Sequence, residues 1–122
     1  MLPAQARLRR RPEFTAVVRS GRRAGRPTMV LHLLPERPGP EPGTAGPRAG
    51  FVVGRAVGNS VVRHRVTRRL RAVVREELHR LPGTADLVVR ARPEAADAPS
   101  ARLRADLVSG LDRVLGPRAR AR

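Results

Sequence analysis

Apolar residues recur along the chain with two different spacings, which predict helices and strands. Phe14, Val17 and Val18 share one helical face by the spacing i, i+3, i+4, and leucines recur at every fourth position from Leu103 to Leu115. Short apolar runs bounded by proline or glycine predict strands. The predicted helices are 12–21, 60–81 and 99–115, and the predicted strands are 28–34, 49–57 and 86–91. This order, with room for one more strand before the second helix, predicts a small α+β sandwich.

The remaining segments are predicted connections around a single domain, 1–122. A length of 122 residues suits one domain, and neither an internal repeat nor a change in composition divides the sequence. Residues 1–11 are predicted to form a basic arm. Residues 35–48 contain five prolines and three glycines and are predicted to form a mobile loop, and the basic tail 116–122 is predicted to be flexible.

The charge of the chain indicates the kind of partner that it binds. The sequence contains 26 arginines, no lysine and only 10 acidic residues, which gives a formal net charge of +16. A GC-rich genome can explain the preference for arginine over lysine, but it does not explain the scarcity of acidic residues. Such a surplus attracts polyanions, so nucleic acid is the predicted partner, with an anionic membrane surface as the weaker alternative.

The amino-acid composition also limits the compartment and the core. The sequence has no cysteine, which excludes disulfides and thiolate metal sites and favours a cytoplasmic protein. No apolar stretch is as long as that of a signal peptide or a membrane-spanning helix, so we expect neither secretion nor membrane insertion, and we predict nucleic acid rather than a membrane as the partner. With two Phe and neither Trp nor Tyr, the core must consist of Val, Leu and Ala.

The predicted helix at 60–81 has one apolar and one strongly basic face. The apolar arc holds Val62, Val66, Leu70, Val73 and Val74. The opposite arc holds His64, Arg65, Arg68, Arg71 and Arg75. A solvated surface is the simpler explanation, but only Glu76 and Glu77 are available locally to neutralise seven arginines between Arg63 and Arg80. Because like charges four residues apart destabilise a helix, we interpret this face as a phosphate-binding surface.

Other candidate groups have simpler explanations beside the functional ones. The backbone amides after Gly58 and Asn59, where the helix begins, offer a second anion site. His32 is either a structural histidine or a ligand contact, and Phe14 is either a core residue or a base-stacking residue. The sequence contains no clustered acids for a two-metal nuclease, no zinc ligand set and no Ser-His-Asp arrangement. On this basis the chain is predicted to bind rather than to catalyse.

The segment GFVVGRAVGNSVVRHRVTRRLR at 50–71 resembles the protein subunits of bacterial ribonuclease P. In that family a strand leads into a Gly-Asn break and then into a helix that opens Arg-Asn-Arg-x-Lys-Arg-x-x-Arg. The matching positions are Gly58, Asn59, Arg63, Arg65, Arg68 and Arg71. The likeness extends from Arg7 to Pro93. Five positions depart from the family pattern. His64 stands in place of Asn, Thr67 in place of Lys and Ala56 in place of a basic residue, and Val18 and His32 occupy positions where the family often has Phe, Tyr or Trp.

The resemblance implies a helix-flanked, mainly antiparallel sheet and a role beside a catalytic RNA. That RNA would remove the 5′ leader from precursor tRNA with Mg²⁺ held mainly by RNA and substrate. This chain would bind the catalytic RNA and the single-stranded leader, lower the Mg²⁺ requirement and need no protein partner. The implied RNA-binding residues are Arg55, Asn59, Arg63, His64, Arg65, Arg68, Arg71 and Arg75. The implied leader cleft is formed by Phe14, Val18, His32 and Phe51.

Two other functions are compatible with a small basic domain. A ribosomal or other structural RNA-binding protein would share the charge but would have no effect on cleavage of precursor tRNA. A free-standing metal nuclease would need clustered acidic residues, which the sequence lacks. Apart from the resemblance, the sequence does not distinguish RNA from DNA as the partner.

Overall fold

The computed structural model describes residues 6–8, 10–37 and 46–116. Within these ranges the helices are α1 (Arg11–Ser20), α2 (Ser60–Glu77) and α3 (Ser100–Leu115). The strands are β1 (Arg22–Gly25), β2 (Met29–Leu34), β3 (Arg48–Val52) and β4 (Asp86–Ala91). Short 3-10 helices at Leu78–Arg80 and Pro93–Asp97 follow α2 and β4. Most of the predicted loop and tail, and part of the predicted arm, lie outside the described residues.

The four strands form one mixed sheet in the order β1-β2-β4-β3. β2 pairs antiparallel with β1 and β4, whereas β3 pairs parallel with β4. The expectation of a mainly antiparallel sheet flanked by helices is therefore confirmed. Parallel neighbours need a crossover connection, and α2 lies in the connection from β3 to β4.

The two faces of the sheet are covered by different helices. On one face Leu31 and Val89 belong to the main core with Leu70 of α2 and Leu107 of α3. On the other face a smaller apolar cluster contains Leu8, Val17 of α1 and Val88 of β4, with Phe14 and Leu34 packed against it. Because helices cover both faces, β2 and β4 are buried at nearly every position and contain continuous apolar runs, which is the pattern that predicts them from the sequence.

The structure corrects the predicted strands in two places. The predicted order left room for one more strand before the second helix, and the structure has three strands there, but the residues of β1 were not predicted, because only Ala24 of the four is buried and the others are exposed. The strand predicted at 49–57 ends at Val52, and a turn follows in which the Val57 N–H donates to the Gly54 carbonyl and the Gly58 N–H donates to the Arg55 carbonyl. Arg55 therefore lies in an exposed turn rather than in the sheet.

The described part of the predicted arm packs along the edge of the sheet. The Leu8 N–H donates to the Ala49 carbonyl at 2.9 Å, and Arg7 forms an isolated parallel bridge with Ala49. Ala6 and Leu8 are both buried. This segment therefore adds to the outer edge of β3.

A buried ion network joins α1 to the sheet. Asp86 is 2% exposed and accepts hydrogen bonds from Arg37 at 3.1 Å and from Arg48 at 2.8 Å. Arg48 also pairs with Glu13 of α1 at 3.1 Å. Hydrogen bonds to Asp86 and the two neighbouring carboxylates raise the pKa of Arg48. We call these four residues the ion network.

Candidate nucleic-acid interface

Gly58 and Asn59 determine where α2 begins. Asn59 accepts a hydrogen bond from the Val62 N–H at 3.0 Å through its side-chain oxygen and thus caps the helix. Gly58 has a φ of 156°, and a Cβ at this position would lie 2.8 Å from the Val62 side chain. A residue with a side chain would be strained there, so the Gly-Asn pair fixes the direction in which α2 leaves the turn.

The basic side of α2 faces away from the core, as the sequence predicts. Val66, Leu70, Val73 and Val74 are buried. The residues opposite them are His64, Arg65, Arg68, Arg71 and Arg75, which we call the arginine face. His64, Arg68 and Arg75 are exposed, and Arg65 and Arg71 are half-buried. Within 6–8, 10–37 and 46–116, none of these side chains forms an ion pair with a carboxylate.

The two acidic residues of α2 do not neutralise the arginine face. Glu76 accepts two hydrogen bonds from Arg104 of α3, the shorter at 2.8 Å, and this partner lowers the pKa of Glu76. Glu77 pairs with Arg80 at 3.6 Å. Both carboxylates thus face other cations, and the positive charge of the arginine face is left uncompensated by α2 itself.

Two further arginines of α2 lie at the flanks of the arginine face. Arg69 donates to the Ala98 carbonyl at 3.2 Å, which attaches α2 to the segment before α3. Arg63 is half-buried, and its Nε has no hydrogen-bond partner in the part of the chain that the structure describes. Arg63 therefore retains its Nε–H for an external ligand, whereas Arg69 uses one of its donors within the fold.

A groove lies between α1 and the sheet, and we call it the sheet groove. Its volume is about 500 Å³. It is lined by Phe14, Thr15, Val18 and Arg19 of α1 and by Val52 and Arg90 of the sheet. Val18 and Val52 are 37% and 38% exposed, so apolar surface is available there between two arginines.

Only two of the four residues assigned to the leader cleft line this groove. Phe14 and Val18 do so. His32 is on the same side of the sheet by strand alternation but is only 4% exposed, and both of its ring nitrogens are buried with no partner among the described residues. Burial, followed by the charges of Arg90 and Arg23, lowers the pKa of His32.

Phe51 lies on the other side of the sheet, half-buried against the main core, where it lines a second groove. Sequence reasoning missed Arg19 and Arg90. A signal for Arg90 was available, because it follows Val88 by two residues in a strand and therefore shares a face with it.

The described residues contain no group of three or more side chains of the types His, Asp or Glu that could hold a metal ion. Among the same residues, no helix combines the length and the apolar character needed to cross a membrane. The candidate interface consists of one cationic helix face and two grooves.

Comparison with known proteins identifies the family. The sequence profile of the ribonuclease P family matches residues 2–115. The chain belongs to the ribonuclease P protein family. The ribonuclease P protein component of Streptomyces avermitilis is 51% identical over 98% of this chain and 100% of its own length. That of Corynebacterium diphtheriae is 49% identical over 93% of this chain and 97% of its own length.

Solved structures of the same family share the fold. The ribonuclease P protein of Staphylococcus aureus matches with a TM-score of 0.72 at 21% identity, over 88% of this chain and 94% of that one. The protein from Thermotoga maritima matches with a TM-score of 0.72 at 24% identity, over 88% of this chain and 96% of that one. The resemblance found at 50–71 is confirmed. Family membership carries a role as a protein component of ribonuclease P and does not favour a ribosomal or other structural RNA-binding protein.

Proposed function

We propose that this chain serves ribonuclease P by binding the catalytic RNA through the arginine face. The observation that carries the proposal is that five basic side chains on one helix have no carboxylate partner among the described residues. An arginine fork can donate two hydrogen bonds to one phosphate and can stack on an unpaired base. Phosphates of a folded RNA would offset the repulsion between these neighbouring cations.

The single-stranded 5′ leader of precursor tRNA is the proposed ligand of the sheet groove. Single strands are bound by combining apolar or aromatic surface for the bases with cations for the backbone. Phe14, Val18 and Val52 supply the first, and Arg19 and Arg90 supply the second. His32 would act from beneath this surface, as a neutral buried group rather than as a direct contact.

Mg²⁺ is assigned to the RNA and the substrate, together with the cleavage chemistry. The carboxylates of Glu13, Asp86 and Asp106 each face an arginine of this chain, and such pairing leaves them poorly suited to a metal ion. By neutralising phosphates, the protein would let RNA and substrate approach each other at a lower Mg²⁺ concentration. This assembly would act in the cytoplasm, consistent with the lack of cysteine, and without another protein.

A reconstitution at low Mg²⁺ tests the proposed function. The protein, the catalytic RNA of the same organism and a precursor tRNA are combined, and each component is omitted in turn. We expect cleavage at the 5′ end of the mature tRNA that requires the RNA and is strongly increased by the protein. Tight RNA binding without such an increase would reduce the chain to a basic RNA-binding domain, and cleavage by the protein alone would contradict the assignment of chemistry to the RNA.

A further inference from the structure

A second groove lies at the outer edge of β3, where residues 6–8 and α2 approach the strand. We call it the edge groove. It is lined by Arg7, Leu8, Phe14, Ala49, Phe51, Thr67 and Arg71. Its volume of about 220 Å³ is below the roughly 300–1,000 Å³ typical of sites for drug-sized ligands. A space of this size suits one flat group, and the proposed function leaves it without a role.

Phe51 gives the edge groove an aromatic wall. The side chain is half-buried and packs against the main core, which holds the ring in place from behind. Its remaining surface contributes to the groove. A fixed aromatic ring is a suitable stacking partner for any nucleobase, because every base has a π-face.

Arg71 and Thr67 give the same groove its polar groups. The Nε of Arg71 is buried and has no hydrogen-bond partner in the part of the chain that the structure describes. Thr67 donates its hydroxyl proton to the Arg63 carbonyl at 2.9 Å, so its oxygen is left to accept from another group. Among the residues that the structure describes, no carboxylate lines the groove. The arrangement therefore offers cationic donors for an anion and one acceptor for an amino group.

An unpaired nucleotide combines the groups that this groove can bind. Its phosphate fits Arg71, its base fits the Phe51 ring, and an exocyclic amino group can donate to Thr67. A purely apolar ligand would leave the Arg71 Nε without a partner, which is costly for a buried donor. An acidic peptide would satisfy Arg71 but would offer no planar ring to Phe51.

The position of the edge groove between the two proposed RNA surfaces favours the same ligand. Phe14 lines both grooves, and Arg71 belongs to both the edge groove and the arginine face. We propose that the edge groove binds one unpaired nucleotide, with its base against Phe51 and its phosphate on Arg71. This inference rests on the proposed function, since it requires RNA on both neighbouring surfaces. The nucleotide can belong to the leader or to the catalytic RNA, because the chemistry of recognition is the same.

Two variants test the groove while preserving the fold. Phe51→Leu removes the ring but keeps apolar packing against the core, and Thr67→Met fills the groove with a side chain that favours helix. The probe is a fluorescently labelled, short single-stranded oligoribonucleotide of mixed sequence. We expect each variant to weaken its binding by about fivefold or more, which is the lower end of what base stacking contributes. Phe51→Tyr keeps the ring and is expected to retain the affinity of the native chain. Ala101→Met, at an exposed position of α3, is the control for the larger side chain of Met.

Binding of the variants to precursor tRNA and to the catalytic RNA shows which of the two RNAs supplies the nucleotide. If the leader supplies it, both variants weaken binding of precursor tRNAs only when the leader is long enough, in a series shortened one nucleotide at a time. If the catalytic RNA supplies it, they weaken binding of that RNA alone. Either result supports the proposal when melting temperatures are unchanged.

Unchanged affinity of both variants for all RNA probes overturns the edge-groove proposal. The double variant Arg65→Ala, Arg68→Ala then distinguishes failure of the edge-groove proposal alone from failure of the proposed function. If that double variant loses RNA affinity, only the edge groove is refuted, and if it does not, the proposed function fails as well. Weakened binding of an acidic peptide with unchanged RNA affinity would assign the groove to a protein partner and would also overturn the proposal.

Discussion

In the ion network the arginines pair with carboxylates, whereas on the arginine face the charged neighbours of each arginine are other arginines. The side chains of Arg37 and Asp86 are 6% and 3% exposed, and Arg48 contacts Asp86 and Glu13 within 3.1 Å. Arg65 and Arg68 have no such partner among the described residues. The same residue type therefore stabilises the fold in one region and is left for an external anion in the other.

The difference teaches that pairing, rather than the number of charges, locates a binding surface. A net charge of +16 says only that some arginines lack partners. Glu76 could have neutralised the arginine face from its own helix, but it binds Arg104 instead. Which arginines remain unpaired is thus decided by the tertiary structure, and α2 is where they accumulate.

Removing the central acid of the ion network is expected to give the largest effect on stability. Asp86→Asn leaves Arg37 without a charged partner in a buried place and leaves Arg48 with Glu13 alone, and breaking a buried ion pair typically costs about 3–5 kcal/mol of the free energy of unfolding. Denaturant unfolding measures this. Asp112→Asn is the matched control, because its pair with Arg80 is on the surface, where such pairs contribute under about 1 kcal/mol. Equal losses in the two variants would show that the network contributes no more than a surface pair.

Removing two arginines of the arginine face is expected to affect binding and not stability. Arg65→Ala with Arg68→Ala should make log K for RNA less steep in log salt by roughly 0.7–0.9 for each lost phosphate contact. The melting temperature should stay the same or rise, because repulsion within α2 is reduced. Arg113→Ala, on an exposed position of α3, is the control. An unchanged salt slope would make the arginine face an ordinary solvated surface.

Placing an acid beside the unpaired arginines should have a smaller effect. Asn59→Asp keeps a side-chain oxygen that can cap α2, so stability should be retained. The new negative charge should lower RNA affinity by about two- to fivefold, which corresponds to the modest energy of one exposed charge. Asn59→Ser, a neutral cap, should retain stability, and its RNA affinity separates the effect of the new charge from the loss of a contact that Asn59 itself makes. A drop in affinity with Ser as large as with Asp would make Asn59 itself an RNA contact.

The smallest effect is expected at His32, which lies beside two arginines on the sheet. Its pKa is lowered in the fold, so between that value and the ordinary 6.5 the unfolded chain binds more protons. Stability from the neutral imidazole is therefore complete above pH 6.5 and decreases as the pH falls below it. The unfolding free energy of the native chain minus that of His32→Phe should decrease as the pH is lowered from about 8 to about 5, because only the native chain carries this titrating group. A difference that does not change with pH would contradict this assignment.

The sequence was sufficient to predict strands that are buried on both faces of the sheet and helices whose ends are marked by proline or glycine. The strand predicted at 86–91 agrees with β4, and the helix predicted at 99–115 agrees with α3 to within one residue, because apolar runs, Pro99 and Gly116 delimit them. β1 escaped prediction since Arg22–Gly25 carries one buried side chain and owes its form to pairing with β2. The strand at 49–57 was predicted too long because alternation of Phe51 and Val53 continues in the sequence beyond the last ladder partner, Val52.

The arginine face could be located from the sequence, but the grooves could not. A period of about 3.6 residues assigns every residue of α2 to a side without knowledge of its neighbours. A groove depends on which elements meet. Phe51 is implied in the leader cleft by the family resemblance, yet its place in β3 directs it to the other side of the sheet. Strand alternation indicates the face on which Arg90 lies, but its place beside Val52 in the sheet groove depends on the pairing of β3 with β4.

The contacts of Arg37 have a consequence for how freely this chain can change in length. Its guanidinium donates to the Gly46 carbonyl at 2.7 Å, and its backbone N–H donates to the Thr84 carbonyl at 2.9 Å. Arg37 and Gly46 are thus both attached to the folded part of the protein. Closing a longer loop between fixed ends costs only about 0.6 kcal/mol for each doubling of its length. We therefore expect that an affinity handle or a fluorescent reporter inserted between Arg37 and Gly46 costs little folding free energy.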